Sequence, residues 1–152
     1  LVGSCIEIFE DSIDKIQTVK KLPYKHEEII SFLKYRCPFN HPTVMFRREA
    51  VLVSGNYDSA FLKEDMSLWL RMFKNNCIFA NIPQSLLYYR QSQETFRRRG
   101  GRKYANSELN MFKLRKEVNL INFIEFFIYS TAIIAIRLTP SRFRAFVYKL
   151  VV

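Results

Sequence analysis

The chain has 152 residues, 49% of them apolar and 15% aromatic, which is enough for one compact domain and too apolar for a disordered chain. Its formal net charge of +10 favours a negatively charged partner: nucleic acid, a phosphorylated substrate or an anionic membrane face. The three cysteines, Cys5, Cys37 and Cys77, form no CxxC pair, and the two histidines supply no zinc-ligand spacing. The cysteines are therefore interpreted as reduced cytosolic thiols.

Four elements are predicted in the first third of the chain. Loose alternation of apolar residues indicates a strand over Val2–Phe9. Residues 25–35 have the apolar spacing of a helix, and a short buried strand is predicted over residues 43–46, after Pro42. A short helix over residues 48–54 follows, and Gly55 is predicted to be its C-terminal stop.

The clearest helix of the sequence is Glu64–Lys74. Its apolar residues recur at i, i+3, i+4 and i+7 and share one face, which comprises Met66, Trp69, Leu70 and Phe73. Glu64 and Asp65 stand in the first turn, where the helix dipole favours anions. The pattern therefore predicts a core helix with two carboxylates at its start.

The second half of the chain changes from strands to helices. One strand is predicted over residues 77–82, closed by Pro83, and another over residues 86–90. A basic loop is predicted over residues 97–103. From Ser107 the chain is predicted to be helical to its end, with one interruption at Thr139 and Pro140, where Thr139 is expected to be the N-cap of a last helix.

Several short motifs follow one another between residues 36 and 90: PFNHPTVMFR at 38–47, GNYD at 55–58, EDMSLWLR at 64–71, ANIP at 80–83 and LYYR at 87–90. In this order they resemble the second half of family 2 glycosyltransferases of capsule and lipopolysaccharide synthesis, including the amylovoran-type enzymes. Val2, Gly3 and Ser4 resemble the strand that follows the DxD motif of that family. The resemblance covers residues 1–105.

The resemblance implies an α/β fold: an incomplete GT-A type layer that lacks its N-terminal half. Residues 1–105 would be the acceptor-side half of the catalytic domain, and residues 106–152 a helical tail that associates with the membrane or packs on protein. The chain has no DxD motif, so the uridine pocket and the ligands of Mg²⁺ or Mn²⁺ are expected in the intact enzyme but not here. We therefore expect no metal site in this chain, and no glycosyl transfer by this chain alone.

The resemblance assigns the catalytic base to the Glu-Asp pair, with Asp65 as the base and Glu64 in a supporting role. An inverting transfer needs a base that takes the proton of the acceptor hydroxyl, and a carboxylate at a helix start is held rigidly and kept ionised. The alternative from the sequence alone is that both residues only cap the helix.

Three further residues are predicted to bind substrate. Trp69 lies one turn beyond Asp65 and offers an indole face to an acceptor sugar, although its spacing favours core packing more strongly. His41 is predicted either to hydrogen-bond the acceptor or a phosphate, or to be a structural polar residue before a strand. Asn40 shares these two interpretations.

Basic residues late in the catalytic half are predicted to meet negative charge. Arg90 is interpreted as a substrate-binding residue, with pairing to a carboxylate of the fold as the preferred alternative. Arg97, Arg98 and Arg99 would stabilise the nucleoside diphosphate leaving group or form a lid hinged at the following glycine pair. The alternative is a solvated basic loop or one that touches anionic lipid.

The tail is predicted to contact a membrane from one side. Residues 120–136 are rich in Ile and Phe but contain Asn122 and Glu125 and are shorter than a spanning helix. Basic residues flank both ends, which fits a helix in the interface plane better than one that crosses the bilayer. The expected location is thus cytoplasmic, at the inner face of the cytoplasmic membrane; packing of the tail on protein is the alternative.

Two further expectations concern partners. Because part of the sheet is absent, an open edge and a homo-oligomer are expected. The intact enzyme is expected to use a nucleotide-sugar donor and a saccharide or lipid-linked acceptor. A basic nucleic-acid-binding domain is the alternative function, suggested by the charge and by aromatic residues near basic ones, namely Tyr88, Tyr89, Phe96 and Tyr104.

Overall fold

The computed structural model describes residues 1–58, 62–92 and 101–140. Three strands form one sheet: β1 (Val2–Phe9), β2 (Thr18–Lys20) and β3 (Ala80–Arg90). The α-helices of the described residues are α1 (His26–Leu33), α2 (Arg48–Val53), α3 (Glu64–Lys74), α4 (Arg102–Glu117) and α5 (Phe123–Leu138). The arrangement is a mixed α/β fold, as predicted, with a small sheet.

The sheet has the order β2-β1-β3, in which β1 runs antiparallel to β2 and parallel to β3. The prediction of two strands separated by Pro83 is wrong, because β3 continues through it. Ser4 is opposite Ile82 but Cys5 is opposite Ser85, so Pro83 sits in a bulge. A bulge tolerates a residue without a backbone N–H, which explains why proline does not end the strand.

The strand predicted over residues 43–46 is also wrong. A 3₁₀ turn, His41–Thr43, occupies its start, and only one isolated bridge joins Met45 to Val2. Met45 is 78% exposed, whereas Val44 and Phe46 on either side of it are partly buried against the core. A single antiparallel partner with two hydrogen bonds is too little to extend the ladder on this side.

The core surrounds α3, which begins and ends at the predicted residues. Met66, Leu68, Trp69, Leu70 and Met72 are all at most 2% exposed, so the helix is buried on more sides than its apolar stripe predicts. Side chains of α1 and α4 complete the core around it, since Ile29 and Met111 belong to the same buried cluster. The first turn of α3 remains at the surface, where Glu64 is exposed.

The C-terminal helices differ from the prediction in three places. Arg102 and Lys103 belong to α4 and not to a loop. A break at residues 118–122 separates α4 from α5, where an uninterrupted helix was expected. Thr139 is the C-cap of α5, and the last helix that it was predicted to begin lies in residues 141–152, outside the described part of the chain.

Residues after position 105 pack on the same core as the residues before it. Phe112, Val118, Leu120 and Ile121 are buried against residues of α1 and α3. Helix α4 runs across the boundary predicted at residue 105; the division into two domains itself stays a prediction. On the other side of the molecule, β3 is an outer strand with no partner strand among the described residues. The predicted open edge is therefore present, whereas the oligomer expected from it stays a prediction.

Candidate active site

The 3₁₀ turn presents His41 above the middle of β1. The side-chain amide of Asn40 donates to the carbonyl of Ser4 (2.9 Å), and the backbone N–H of Ser4 donates to the hydroxyl of Thr43 (3.0 Å). Asn40 is 3% exposed, so its amide fixes the backbone, which favours the structural one of its two interpretations. His41, between these two anchors, keeps a partly exposed side chain.

A second amide secures the residues before this turn. Asn81 on β3 donates to the carbonyls of Pro23 (2.7 Å) and Pro38 (2.9 Å). A Cβ atom at Gly3 would collide with Oδ1 of Asn81, so glycine is required opposite this asparagine. Gly3 and Asn81 thus hold the entry to the segment that carries His41.

Tyr57 follows a loop whose backbone carbonyls are bound by Arg71. Gly55 and Asn56 both have positive φ, at 81° and 57°. The guanidinium of Arg71 donates to the carbonyls of Ser54 (2.6 Å) and Asn56 (2.8 Å). Gly55 therefore ends α2 as predicted, and the turn after it directs the Tyr57 ring towards His41, at 5.8 Å between ring centroids.

Asp65, to which the resemblance assigns the role of base, stands in the first turn of α3. Its Oδ1 accepts the backbone N–H of Met66 (2.7 Å), and its Oδ2 lies 3.4 Å from Nδ1 of His41. One quarter of the side chain is exposed, so the carboxylate is held by protein on one side and open to solvent on the other. His41, Tyr57 and Asp65 are named the Asp65 site below. The N-cap position is Lys63, which makes no side-chain cap, so Asp65 does not cap the helix from that position.

Trp69 forms the floor of the Asp65 site and not its wall. Its ring centroid lies 6.1 Å from that of His41 and 6.4 Å from that of Tyr57. The side chain is 0% exposed, which favours the core-packing interpretation of Trp69 over contact with a sugar. Its Nε1 is buried without a hydrogen-bond partner in the described residues.

The charge of the site acts on Tyr57. Partial burial, and then the negative charges of Asp65 and Glu64, raise the pKa of the Tyr57 phenol above its ordinary value. The phenol therefore stays protonated at neutral pH and can donate a hydrogen bond to a substrate oxygen. Tyr57 stands in the GNYD motif, which was the only sequence signal for it.

A buried ion cluster stands behind the first turn of α3. Glu108 on α4 accepts from Nζ of Lys63 (2.6 Å) and from Nε of Arg137 on α5 (2.9 Å). The aromatic ring of Tyr104 lies 5.3 Å from the Lys63 ammonium and 4.7 Å from the Arg137 guanidinium. The cluster was not predicted, and Tyr104 was named only as an aromatic residue near basic ones. The available signal was a carboxylate at helical spacing with buried apolar residues, since Glu108 stands three residues after Ala105 and three before Met111.

Arg90, another of the predicted basic residues, does not join the Asp65 site. The guanidinium of Arg90 lies over the Phe9 ring at 5.3 Å, at the opposite end of β1 from Ser4. The structure thus places a ring where a carboxylate partner was preferred, and it separates Arg90 from the predicted substrate site. Arg97, Arg98 and Arg99 lie outside the described residues.

The chain is related to bacterial glycosyltransferases. It is 38% identical, over all of its 152 residues, to the UDP-Gal:alpha-D-GlcNAc-diphosphoundecaprenol beta-1,3-galactosyltransferase of Escherichia coli, of which it covers 55%. It is 33% identical over 120 residues to an uncharacterized glycosyltransferase of Haemophilus influenzae, with 79% of the chain and 44% of that protein matched. It is also 30% identical over 133 residues to the amylovoran biosynthesis glycosyltransferase AmsE of Erwinia amylovora, with 88% of the chain and 50% of that protein matched.

The α/β architecture and these relatives together define the class. The chain belongs to the bacterial glycosyltransferases and corresponds to a part of such a protein, as predicted. It spans about half the length of the curated relatives that it matches. No family model matches the chain. No solved structure matches it. The relatives give no support to the nucleic-acid-binding alternative.

Proposed function

We propose that the protein containing this chain is an inverting glycosyltransferase of GT-A type that acts in surface-polysaccharide synthesis. It would move a sugar from a nucleotide-sugar donor to a saccharide or lipid-linked acceptor. The observation that carries the proposal is the Asp65 carboxylate, which is fixed on the first turn of α3, lies beside His41 and is open to solvent. A carboxylate in such a position can accept a proton from a hydroxyl that enters from the solvent side.

In this mechanism Asp65 is the general base. Its Oδ2 takes the proton of the acceptor hydroxyl as that oxygen attacks the anomeric carbon of the donor sugar. The bond from that carbon to the nucleoside diphosphate breaks, and the diphosphate leaves with the bonding electron pair. The backbone N–H of Met66 holds Oδ1 and thereby aims Oδ2 outwards. His41 and the protonated Tyr57 flank the entering hydroxyl and supply hydrogen bonds that orient the acceptor.

We propose that the divalent cation implied by the resemblance is not held by the described residues of this chain. In the described ranges, no three His, Cys, Asp or Glu side chains come together as metal ligands. We propose that Mg²⁺ or Mn²⁺, with the nucleotide, is held by the part of the protein outside this chain. This is also why the 152 residues alone are expected not to catalyse transfer.

The name of the Escherichia coli relative suggests which substrates should be tested first. That relative uses UDP-galactose and an N-acetylglucosamine linked through diphosphate to a polyprenol, and it forms a β-1,3 bond. UDP-galactose carries its sugar in the α configuration, so formation of a β bond is an inversion. We propose the same classes of donor and acceptor here.

The test is a transfer assay with the full-length protein, a panel of radiolabelled nucleotide sugars and an N-acetylglucosamine-diphospho-lipid acceptor. We expect transfer from one donor of the panel and an inverted anomeric configuration in the product by NMR. The 152-residue chain, assayed in parallel, should give no product above the background. Absence of transfer from every donor, or retention of configuration, contradicts the proposal.

We further propose that α5 places the protein on the anionic inner face of the cytoplasmic membrane. One side of α5 exposes Phe123, Ile124, Phe127 and Ile128, each by more than half. Lys116 reaches over the Phe123 ring at 4.7 Å, and Lys113 stands near it in a shallow depression. Apolar side chains bordered by lysines are suited to enter the headgroup region while the cations meet lipid phosphates. No helix of the described ranges combines the length and the apolar character needed to cross a bilayer.

Ile124→Glu should weaken binding of the full-length protein to phosphatidylglycerol-containing vesicles by about tenfold or more, because it removes an apolar side chain that would insert into the headgroup region and adds repulsion from the anionic lipid. The matched control is Val53→Glu, which places the same charge at an exposed apolar position on α2, where Val53 is 76% exposed. Vesicle co-sedimentation measures both. Equal binding by the two variants, or no binding by the unsubstituted protein, would show that protein and not lipid covers this face.

A further inference from the structure

We propose that Glu108 is a positioning residue: through Lys63 it holds the first turn of α3, and with it Asp65, in the geometry that the reaction needs. The inference rests on the proposed function, because it takes Asp65 as the base. It assigns to α4 and α5 a part in catalysis that does not depend on membrane contact. In this proposal the cluster acts through Asp65 and does not itself contact substrate.

The first turn of α3 needs an external support. Lys63 occupies the N-cap position with φ −126° and ψ 60°, and no side chain caps the helix there. The carbonyl of Lys63 accepts the N–H of Ser67 (3.0 Å), so the backbone of Lys63 closes the first helical turn. Helix ends without a cap fray. The ammonium of the same residue, bound to Glu108, supplies the fixation that a cap otherwise gives.

The support is strong because it is buried and charged. The side chain of Glu108 is 5% exposed and that of Arg137 is 6% exposed. Burial opposes ionisation of Glu108, but the cations of Lys63 and Arg137 outweigh it and hold the pKa of Glu108 below its ordinary value. The carboxylate is therefore ionised at neutral pH, and a buried charge with two partners has one favoured arrangement.

A single atom of the cluster, Oε1 of Glu108, links the start of α3, α4 and α5. Oε1 of Glu108 contacts both Lys63, before α3, and Arg137, in the last turn of α5. The carbonyl of Arg137 also accepts the N–H of Gly101 (3.2 Å), directly before α4. Lys63, which is two residues from Asp65, is thus tied to the last turn of α5 and to α4.

Another ion pair provides the matched control. Lys34, the C-cap residue of α1, contacts Glu125 of α5 at 2.9 Å and so also ties α5 to the rest of the protein. Its side chains are 35% and 24% exposed, and neither residue belongs to α3 or to the Asp65 site. Lys34→Met therefore removes a link between α5 and the body of the protein without acting on Asp65.

The experiment compares Lys63→Met, Lys63→Arg and Lys34→Met in the full-length enzyme. Lys63→Met leaves the Glu108–Arg137 pair intact, so the fold should persist. It should lower kcat by about 10- to 100-fold through misplacement of the base, with a donor KM within about twofold of the parent value. Lys63→Arg, which keeps the charge, should restore most of kcat, and Lys34→Met should leave kcat unchanged.

Amide hydrogen exchange gives a readout that does not need activity. The N–H groups of Met66 and Ser67 should exchange about tenfold faster or more in Lys63→Met than in the parent, and at the parent rate in Lys34→Met. Unchanged exchange, or an equal loss of kcat in both methionine variants, overturns the inference. If the unsubstituted enzyme transfers no sugar, the proposed function is wrong, and the exchange rates still decide whether the cluster holds α3.

Discussion

Asp65→Asn in the full-length enzyme is expected to lower kcat by about 10²- to 10⁴-fold, the usual contribution of a positioned general base. Asparagine keeps the shape of the side chain, and its Oδ1 can still accept the N–H of Met66, which holds Oδ1 of Asp65 at 2.7 Å. It lacks the basicity to take a proton from the acceptor hydroxyl. The donor KM should change little, because the nucleotide is expected to bind outside this chain.

The measurement is steady-state transfer of a radiolabelled sugar together with a thermal melt. Glu64→Gln is the matched control, because Glu64 adjoins Asp65 on the same turn but is exposed. It should cost much less activity, since the resemblance assigns it only a supporting role. Near-full turnover by Asp65→Asn at an unchanged melting temperature would mean that another group is the base.

The sequence was sufficient where one local pattern determined the structure. The i, i+3, i+4, i+7 spacing predicted α3 to the residue, and Gly55 ended α2 with positive φ as its lack of a Cβ allows. Val2–Phe9 was likewise predicted with its observed bounds. In each case the local signal and the packing agree, so tertiary structure had nothing to override.

The sequence contains signals for the break between α4 and α5, but the prediction of one uninterrupted helix overlooked them. Asn119 has φ 58° and ends α4, with the N–H of Leu120 bound to the carbonyl of Arg115. Asn122 and Glu125 then form a reciprocal capping box that begins α5. These two polar residues had been counted only as interruptions of an apolar run, although an Asn followed three residues later by Glu is a helix-start signal.

The composition of the Asp65 site was not readable from local sequence. Arg71 binds the carbonyls of Ser54 and Asn56, directly before Tyr57, and so positions Tyr57 from a distant point in the sequence. Burial of Trp69 depends on side chains far along the chain, such as Phe39 and Phe46, whose rings pack near it. The ion cluster joins residues 63, 108 and 137, and no spacing rule reports such a contact. Contacts between residues so far apart in the sequence exist only in the folded chain.

Trp69→Ala is expected to reduce the free energy of unfolding by about 3 to 5 kcal/mol, the range for truncation of a fully buried large aromatic side chain. The ring is 0% exposed and contacts the aromatic rings of Phe39, His41 and Tyr57, so its loss leaves a cavity under the Asp65 site. Leu86→Ala, at a side chain that is 63% exposed, is the control and should change stability by less than about 0.5 kcal/mol.

Trp69→Phe separates packing from substrate contact. It deletes Nε1, which is buried without a partner in the described residues, and keeps an aromatic ring in the core. Removal of an unpaired buried N–H offsets part of the lost volume, so the expected cost is below about 1.5 kcal/mol. Urea denaturation followed by circular dichroism is the suitable measurement, because Trp69 is the single tryptophan of the chain and its removal abolishes the indole fluorescence. The acceptor KM of Trp69→Phe should equal that of the parent; a large rise in that KM at nearly unchanged stability would show that the indole contacts the acceptor after all.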